Sequence, residues 1–140
     1  MMLSDADALD RLAPSEFGVL GTVDASIGVH LVPVVFVVDG QSLLIPVDTV
    51  KPKGAVELRR IRNLGENPTA TLLADHRSLD WERLWWVRAE LRHRGVSEPT
   101  SKHLELLGMK YPAYRTAGSV AAVIELELGR VAGWAAAEPT

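Results

Sequence analysis

The residues best suited to chemistry lie between positions 51 and 62. Five basic residues and one acidic residue fall in this segment, although the whole chain carries a net charge of −3. Lys51 and Lys53 stand directly before a stretch with helical periodicity, and Gly54 lets a ligand approach the backbone closely. A helix N-terminus offers unpaired N–H groups and a partial positive charge, so this combination would bind a phosphate or a carboxylate. A solvated basic helix face is the alternative interpretation of the same charges.

An apolar run and a pair of tryptophans could hold a flat organic ligand. Leu31–Phe36 is apolar throughout, and Pro33 cannot donate a ladder hydrogen bond, which places it at a sheet edge or a bulge. An interrupted ladder beside an apolar surface suits a planar ligand. Trp85 and Trp86 must point to opposite faces of a strand. One indole therefore faces outward, where a second copy of the chain, an aromatic ligand or a helix of the same chain would cover it.

Other kinds of site find no support in the sequence. The absence of cysteine excludes disulfides, thiolate metal sites and cysteine nucleophiles. The four histidines do not pair at ligand spacing, and no Walker, Gly-x-Gly-x-x-Gly or His-Glu-x-x-His motif occurs, so no metal site is predicted. An isoelectric point of about 5.8 and the lack of a nucleic-acid motif argue against a nucleic-acid partner. With no membrane-length apolar run and no signal-peptide pattern, we expect a cytoplasmic protein that acts on a small molecule.

The elements that must position these residues follow from periodicity and turn residues. Ser4–Leu12 predicts a short helix with a serine N-cap. Strands are predicted over Phe17–Val23, His30–Val38 and Ser42–Val47, and the dipeptide Asp39-Gly40 predicts a hairpin between the last two. We expect these three strands to form a meander.

Helices and strands mix in the remainder of the chain. Ala55–Glu66 is predicted to be helical because Leu58, Ile61 and Leu64 share one face, and Gly129 is expected to divide the last strand in two. The other predicted elements are strands over Thr69–Ala74, Leu84–Arg94, Val120–Leu128 and Val131–Ala135, and a helix over Pro99–Met109.

This order of elements predicts the fold class. A parallel doubly wound sheet needs a helix after nearly every strand, and the opening hairpins exclude it. Residues 1–140 show no repeat and no linker, so we expect one domain. That domain is predicted to be mainly β within the α+β class: a six- to seven-stranded antiparallel barrel with short flanking helices.

An ordered set of motifs resembles the pyridoxamine 5′-phosphate oxidase-like split β-barrel family, and within it the branch of probable coenzyme F420-dependent oxidoreductases. The resemblance extends from about Phe17 to Trp134, and it rests on the set rather than on any single motif. The motifs are His30–Phe36, Asp39-Gly40, Val47-Asp48, Lys51–Lys53, Leu58–Asn63, Asn67-Pro68, Leu73–His76, Asp80–Ala89, Lys110–Tyr114 and Gly133-Trp134.

The resemblance implies a homodimer with a flavin or deazaflavin in each of two clefts at the subunit interface. The tricyclic ring would rest on one strand and be flanked by another. The phosphate and carboxylates of the tail would meet basic residues, and tryptophans would approach from the partner subunit or the cleft rim. The residues implied are Val32, Pro33, Val34 and Val35 behind the ring, Ile45, Pro46 and Val47 beside it, Lys51, Lys53 and Arg59 at the tail, and Trp85, Trp86 and Trp134 at the rim.

The activity implied by the resemblance is hydride transfer between coenzyme F420 and a small organic substrate. An FMN-dependent oxidase or reductase on the same barrel is one alternative, and a non-catalytic flavin- or deazaflavin-binding protein is another. No residue stands out as a catalytic acid or base.

Overall fold

The computed structural model describes residues 1–48 and 58–137, which form seven antiparallel strands, three α-helices and two short 3₁₀ turns. None of the described helices is long and apolar enough to cross a membrane. The elements are α1 (Asp5–Leu12), β1 (Gly18–Asp24), β2 (Gly28–Val34), β3 (Val37–Asp39), β4 (Ser42–Asp48), α2 (Arg59–Glu66), β5 (Thr69–His76), β6 (Trp85–Ser97), α3 (Ser101–Lys110) and β7 (Val120–Ala135), with 3₁₀ turns at Trp81–Arg83 and Pro112–Arg115.

The strand order shows how the sheet closes on itself. It runs β2-β1-β5-β6-β7-β4-β3, so β2 and β3 lie at opposite ends of the sheet although only Val35 and Phe36 separate them in the chain. Two residues can join the two ends only if the sheet curls until its edges approach each other. Phe36 is fully buried at this crossover. The fold is the antiparallel split β-barrel, and the predicted class is confirmed.

Four local predictions need correction. The run His30–Val38 is not one strand, because the crossover breaks it, and the opening strands form two hairpins rather than a meander. Gly129 does not divide the last strand: β7 is continuous, and Gly129 lies at a bulge opposite Glu90. The first three residues of the helix predicted over Ala55–Glu66 lie outside the described residues, and Leu58 is extended, so the described helix begins at Arg59.

Inward-facing side chains of the strands fill the barrel, and α1 closes one end of it. The Ser4 side chain accepts a hydrogen bond from the Asp7 N–H, as an N-cap should, and the helix fully buries Ala8 and Leu12. Trp85 packs against the edge of this core. The core is therefore continuous from α1 through the sheet to the crossover at Phe36.

Two polar contacts fasten α2 to β1 and its turn. The buried Asn63 amide donates to Thr22 Oγ1 over 3.1 Å. Arg59 Nε donates to Asp24 Oδ2 over 2.6 Å, and Asp24 also accepts from the Ser26 hydroxyl and backbone within the turn. The guanidinium of Arg59 and these turn donors hold the pKa of Asp24 well below its usual range. These contacts fix the helix from which Arg60 projects.

Candidate functional site

A cleft of about 370 Å³ opens at the split in the barrel. Within the described residues β2 pairs only with β1, so its other edge is unpaired. β3 pairs with β4 only from Ser42 to Leu44, so the rest of that edge of β4 is unpaired as well. A proline on each of β2 and β4 removes a ladder donor, which disfavours pairing between the two edges. The described lining residues are Phe17, Pro33, Val34, Val35, Pro46, Val47, Asp48, Leu58, Arg60 and Tyr114.

Arg60 is the cation among the described residues that line this largely apolar cleft. Arg60 Nε is buried and makes no hydrogen bond with any of the described residues. Buried donors in folded proteins are almost always paired, and an unmade bond costs about 1–3 kcal/mol. A guanidinium binds carboxylates and phosphates strongly because its N–H groups form a fixed fork. The cleft therefore fits a flat apolar ligand that carries an anionic group.

A hydrogen-bonded pair of polar residues also lines the cleft. The Tyr114 hydroxyl donates to Asp48 Oδ1 over 2.7 Å. Burial and the hydrogen bond to the Asp48 carboxylate both raise the pKa of Tyr114 above its usual value. The phenol therefore stays protonated at neutral pH and remains a hydrogen-bond donor. No local sequence pattern indicates this pair, since 66 positions separate the two residues.

The apolar residues proposed for the site divide between the cleft and the core. Pro33, Val34, Val35, Pro46 and Val47 line the cleft together. Val32 and Ile45 are not part of this lining; both pack into the barrel core, where Ile45 is only 1% exposed. Val34 and Val47 belong to the same core cluster, so they contact both the core and the cleft.

The basic residues proposed for the anionic tail have different outcomes. Lys51 and Lys53 lie outside the described residues, so their role stays a prediction. Arg59 turns away from the cleft lining toward Asp24 and Ser26, whereas Arg60 lines the cleft. The signal for Arg60 was its spacing: it lies four positions before Leu64, which is buried in the core, so both occupy one helix face.

The three tryptophans proposed for the rim, Trp85, Trp86 and Trp134, are not in the cleft lining. They line a different cavity of about 420 Å³. Trp85 faces α1, and the Arg11 guanidinium lies 5.3 Å from its ring centroid, so a helix of the same chain covers this indole. Trp86 opposes Trp134 across β6 and β7 on the outer face, where Arg88 lies 5.1 Å from the Trp86 ring centroid. The outward tryptophan is therefore Trp86.

Comparison with solved structures places the fold. An F420 reductase aligns with a TM-score of 0.63 at 16% identity, over 87% of this chain and 94% of that chain. A FAD-binding protein from Mesorhizobium loti aligns with a TM-score of 0.63 at 15% identity, over 95% and 93%. A Listeria innocua protein provisionally assigned as a pyridoxamine 5′-phosphate oxidase aligns with a TM-score of 0.61 at 18% identity, over 91% and 94%.

These similarities are structural. A scan against protein-family models finds no match to the sequence, and a search of the curated proteins finds none either. At identities of 15–18%, these alignments establish a shared fold, the antiparallel split β-barrel. What the chain does on this fold must be argued from its own cleft.

Proposed function

We propose that this protein is a coenzyme F420-dependent oxidoreductase that transfers hydride between the deazaflavin and a small organic substrate. The observation that carries the proposal is Arg60 in the lining of a largely apolar cleft, with a buried Nε that has no hydrogen-bond partner among the described residues. Such a site suits one molecule with a flat ring and a negatively charged tail. The F420 reductase with the same fold supports this choice of cofactor.

Each part of the cleft has a defined task under this proposal. Pro33, Val34 and Val35 exclude water from one side of the ring, while Pro46 and Val47 hold it from the β4 edge. The Arg60 guanidinium donates to an anionic group of the cofactor, and we place the remainder of the tail on Lys51 and Lys53. When bound, the deazaflavin supplies the hydride chemistry, and the protein supplies orientation and electrostatics.

We also propose that the working unit is a homodimer. Val23 and Val29 oppose each other on the outer face of β1 and β2, and Leu31 lies on the same face with 66% of its surface exposed. Trp86 and Trp134 lie on this face as well. Apolar surface of this extent on one sheet face is typical of an interface, and a second copy of the chain would cover it.

FMN chemistry and cofactor binding without catalysis are the competing functions. The FAD-binding protein with the same fold favours the first of these. FMN carries one terminal phosphate, which Arg60 alone could bind, whereas the longer F420 tail would also engage Lys51 and Lys53. A protein that purifies with flavin absorbance would point to FMN.

Turnover measured beside binding tests the proposal. Reduced F420 is mixed with the protein and a panel of small quinone, nitro and enone acceptors, and loss of reduced-cofactor absorbance is followed. We expect acceptor-dependent oxidation above the rate without protein. Tight binding with no oxidation by any acceptor would favour the carrier function instead.

A further inference from the structure

The segment Lys110–Tyr114 contacts both sides of the cleft, and we refer to it as the strap. It covers the end of α3 and the start of the following 3₁₀ turn. This segment is one of the motifs that carry the family resemblance, yet it has no task in the proposed function. Its contacts reach the β2–β3 crossover on one side and the end of β4 on the other.

Two consecutive strap residues fix the crossover. Lys110 Nζ donates to the carbonyl oxygens of Phe36 over 2.7 Å and Ala13 over 3.1 Å. The Tyr111 hydroxyl oxygen accepts from the Phe36 N–H over 3.1 Å, and its one proton has the carbonyls of Phe36 and Glu16 within reach. Burial lowers the pKa of Lys110 to about 8, against the opposing effect of Glu16. The strap thus satisfies both backbone groups of Phe36, beside the cleft residue Val35.

The C-terminal end of the strap contacts the β4 side of the cleft. The Tyr114 hydroxyl donates to Asp48 Oδ1, at the end of β4, where a register irregularity against β7 falls between Val47 and Asp48. The Tyr114 ring meets Tyr111 edge-on, with centroids 6.0 Å apart. Tyr114 is therefore fixed at both ends, by Asp48 through its hydroxyl and by Tyr111 against its ring.

Tyr114 also separates two cavities. It lines the cleft, and it lines a neighbouring cavity of about 440 Å³ beside α3. Among the described residues no other side chain is shared by these two linings. Tyr114 thus lies at the boundary of the two cavities, and we expect truncation of its side chain to join the cleft to the cavity beside α3.

We propose that Tyr114 is a ligand-contacting residue that ends the cleft, orients the flat ring of the cofactor and keeps water of the α3-side cavity away from it. Asp48 acts through Tyr114 and is a positioning residue. This inference rests on the proposed function, because the ligand it concerns is the one proposed for the cleft. It adds the residue that sets the length of the ring site, and hence which ring systems fit.

The test compares Tyr114→Ala and Tyr114→Phe with a matched control, Leu104→Ala. Leu104 lines the α3-side cavity but not the cleft, so the control enlarges that cavity without removing the wall. Each protein is titrated with F420 and with FMN, and the absorbance spectrum of the bound cofactor is recorded at saturation. Thermal unfolding monitors the fold, and Tyr114→Leu replaces Tyr114→Ala if the alanine variant does not fold.

We expect Tyr114→Ala to weaken binding roughly tenfold, as loss of an aromatic contact does, and to shift the bound spectrum toward that of free cofactor. A merely structural tyrosine would leave the spectrum of the bound fraction unchanged. Tyr114→Phe keeps the wall and should bind within about threefold of wild type, since only the Asp48 bond is lost. Leu104→Ala should match wild type in both respects.

Two results would overturn the inference, and they differ from failure of the proposed function. Tyr114→Ala with unchanged affinity and spectrum would show that the ring does not touch the ligand. Equal effects of Tyr114→Ala and Leu104→Ala would show that the wall has no special role. Failure of the wild-type protein to bind F420 or FMN would overturn the proposed function and this inference together.

Discussion

Arg60 is the residue on which the cofactor argument depends most. Its Nε is buried in an apolar lining and has no described partner, while Arg59, one position earlier, is fully engaged with Asp24 and Ser26. The two neighbouring arginines therefore have different roles: Arg59 binds α2 to the end of β1, and Arg60 places a positive charge in the cleft lining. Under the proposed function, a ligand anion would supply the hydrogen bond that none of the described residues makes to Arg60 Nε.

Replacing Arg60 by methionine, which keeps much of its length without the charge, tests this assignment. We expect F420 to bind roughly 10- to 100-fold more weakly, because a charge-assisted hydrogen bond is worth about 1.5–3 kcal/mol. The melting temperature should not fall, since removal of an unpartnered buried donor relieves a cost. Arg62→Met on the same helix, outside the cleft lining, is the control for fluorescence titration. Equal affinity of the two variants would remove Arg60 from the site.

Asp24 gives a prediction about acid stability. Its folded-state pKa is lowered by Arg59 and the turn donors, so the carboxylate stabilises the fold above its unfolded pKa of about 3.9, and this contribution is lost as pH falls. Asp24→Asn should therefore melt below wild type at pH 7, and the difference should shrink below about pH 4. Melting curves at pH 7, 5 and 3 measure this.

The matched control for Asp24 is Asp75→Asn. Asp75 pairs with Arg77, whose side chain is 82% exposed, and exposed pairs contribute little to stability. A gap between wild type and Asp24→Asn that stays constant from pH 7 to pH 3 would contradict the assigned role of the carboxylate.

At the scale of elements, local patterns predicted most strands, whereas the closure of the barrel had to come from the structure. The Asp39-Gly40 turn and the Ser4 cap lie as expected, because each depends on residues close in sequence. The break at Val35–Phe36 could not be predicted, since apolar composition continues through it. The break exists because β2 and β3 lie at opposite ends of the sheet, and the pairing of strands far apart in the chain determines where the chain crosses from one end to the other.

The site shows the same limit. Pro33 was correctly placed on an edge strand, because proline removes a ladder donor wherever it stands. The choice between Arg59 and Arg60 depended on whether Asp24 lies within reach, which is a tertiary fact. Tyr114 belongs to the motif Lys110–Tyr114, but no role could be predicted for it. Its partner Asp48 comes within reach only in the folded chain.

Gly129 supplies the prediction for the β6–β7 bulge. A Cβ at this position would lie 3.1 Å from the Glu90 carbonyl oxygen, a backbone atom that cannot move aside cheaply. Gly129→Ala should lower the free energy of unfolding by about 1–3 kcal/mol, the usual cost of overpacking. Gly95→Ala in β6 is the control, because nothing lies within 4 Å of the point that its new methyl group would occupy. Urea denaturation that ranks the two variants alike would contradict the account of the bulge.

At the scale of the whole molecule, the outer face of β1 and β2 predicts association. Leu31→Glu should shift the protein from dimer to monomer in light scattering coupled to size-exclusion chromatography, because it would bury charge at the interface. Met109→Glu is the control: it is 73% exposed on α3, away from this face. A wild-type monomer, or a Leu31→Glu dimer as tight as wild type, would contradict the proposed interface.

The proposed site combines the cleft, the Arg60 guanidinium and the strap, and it is proposed to hold one flat, anionic ligand. Titration of the purified wild-type protein with F420 and FMN side by side, followed by fluorescence, tests this most directly. We predict saturable binding of one F420 per chain, tighter than that of FMN and weakened by salt, because charge contributes to it. No saturable binding of either cofactor would contradict the proposed function, and tighter binding of FMN would replace F420 as the cofactor.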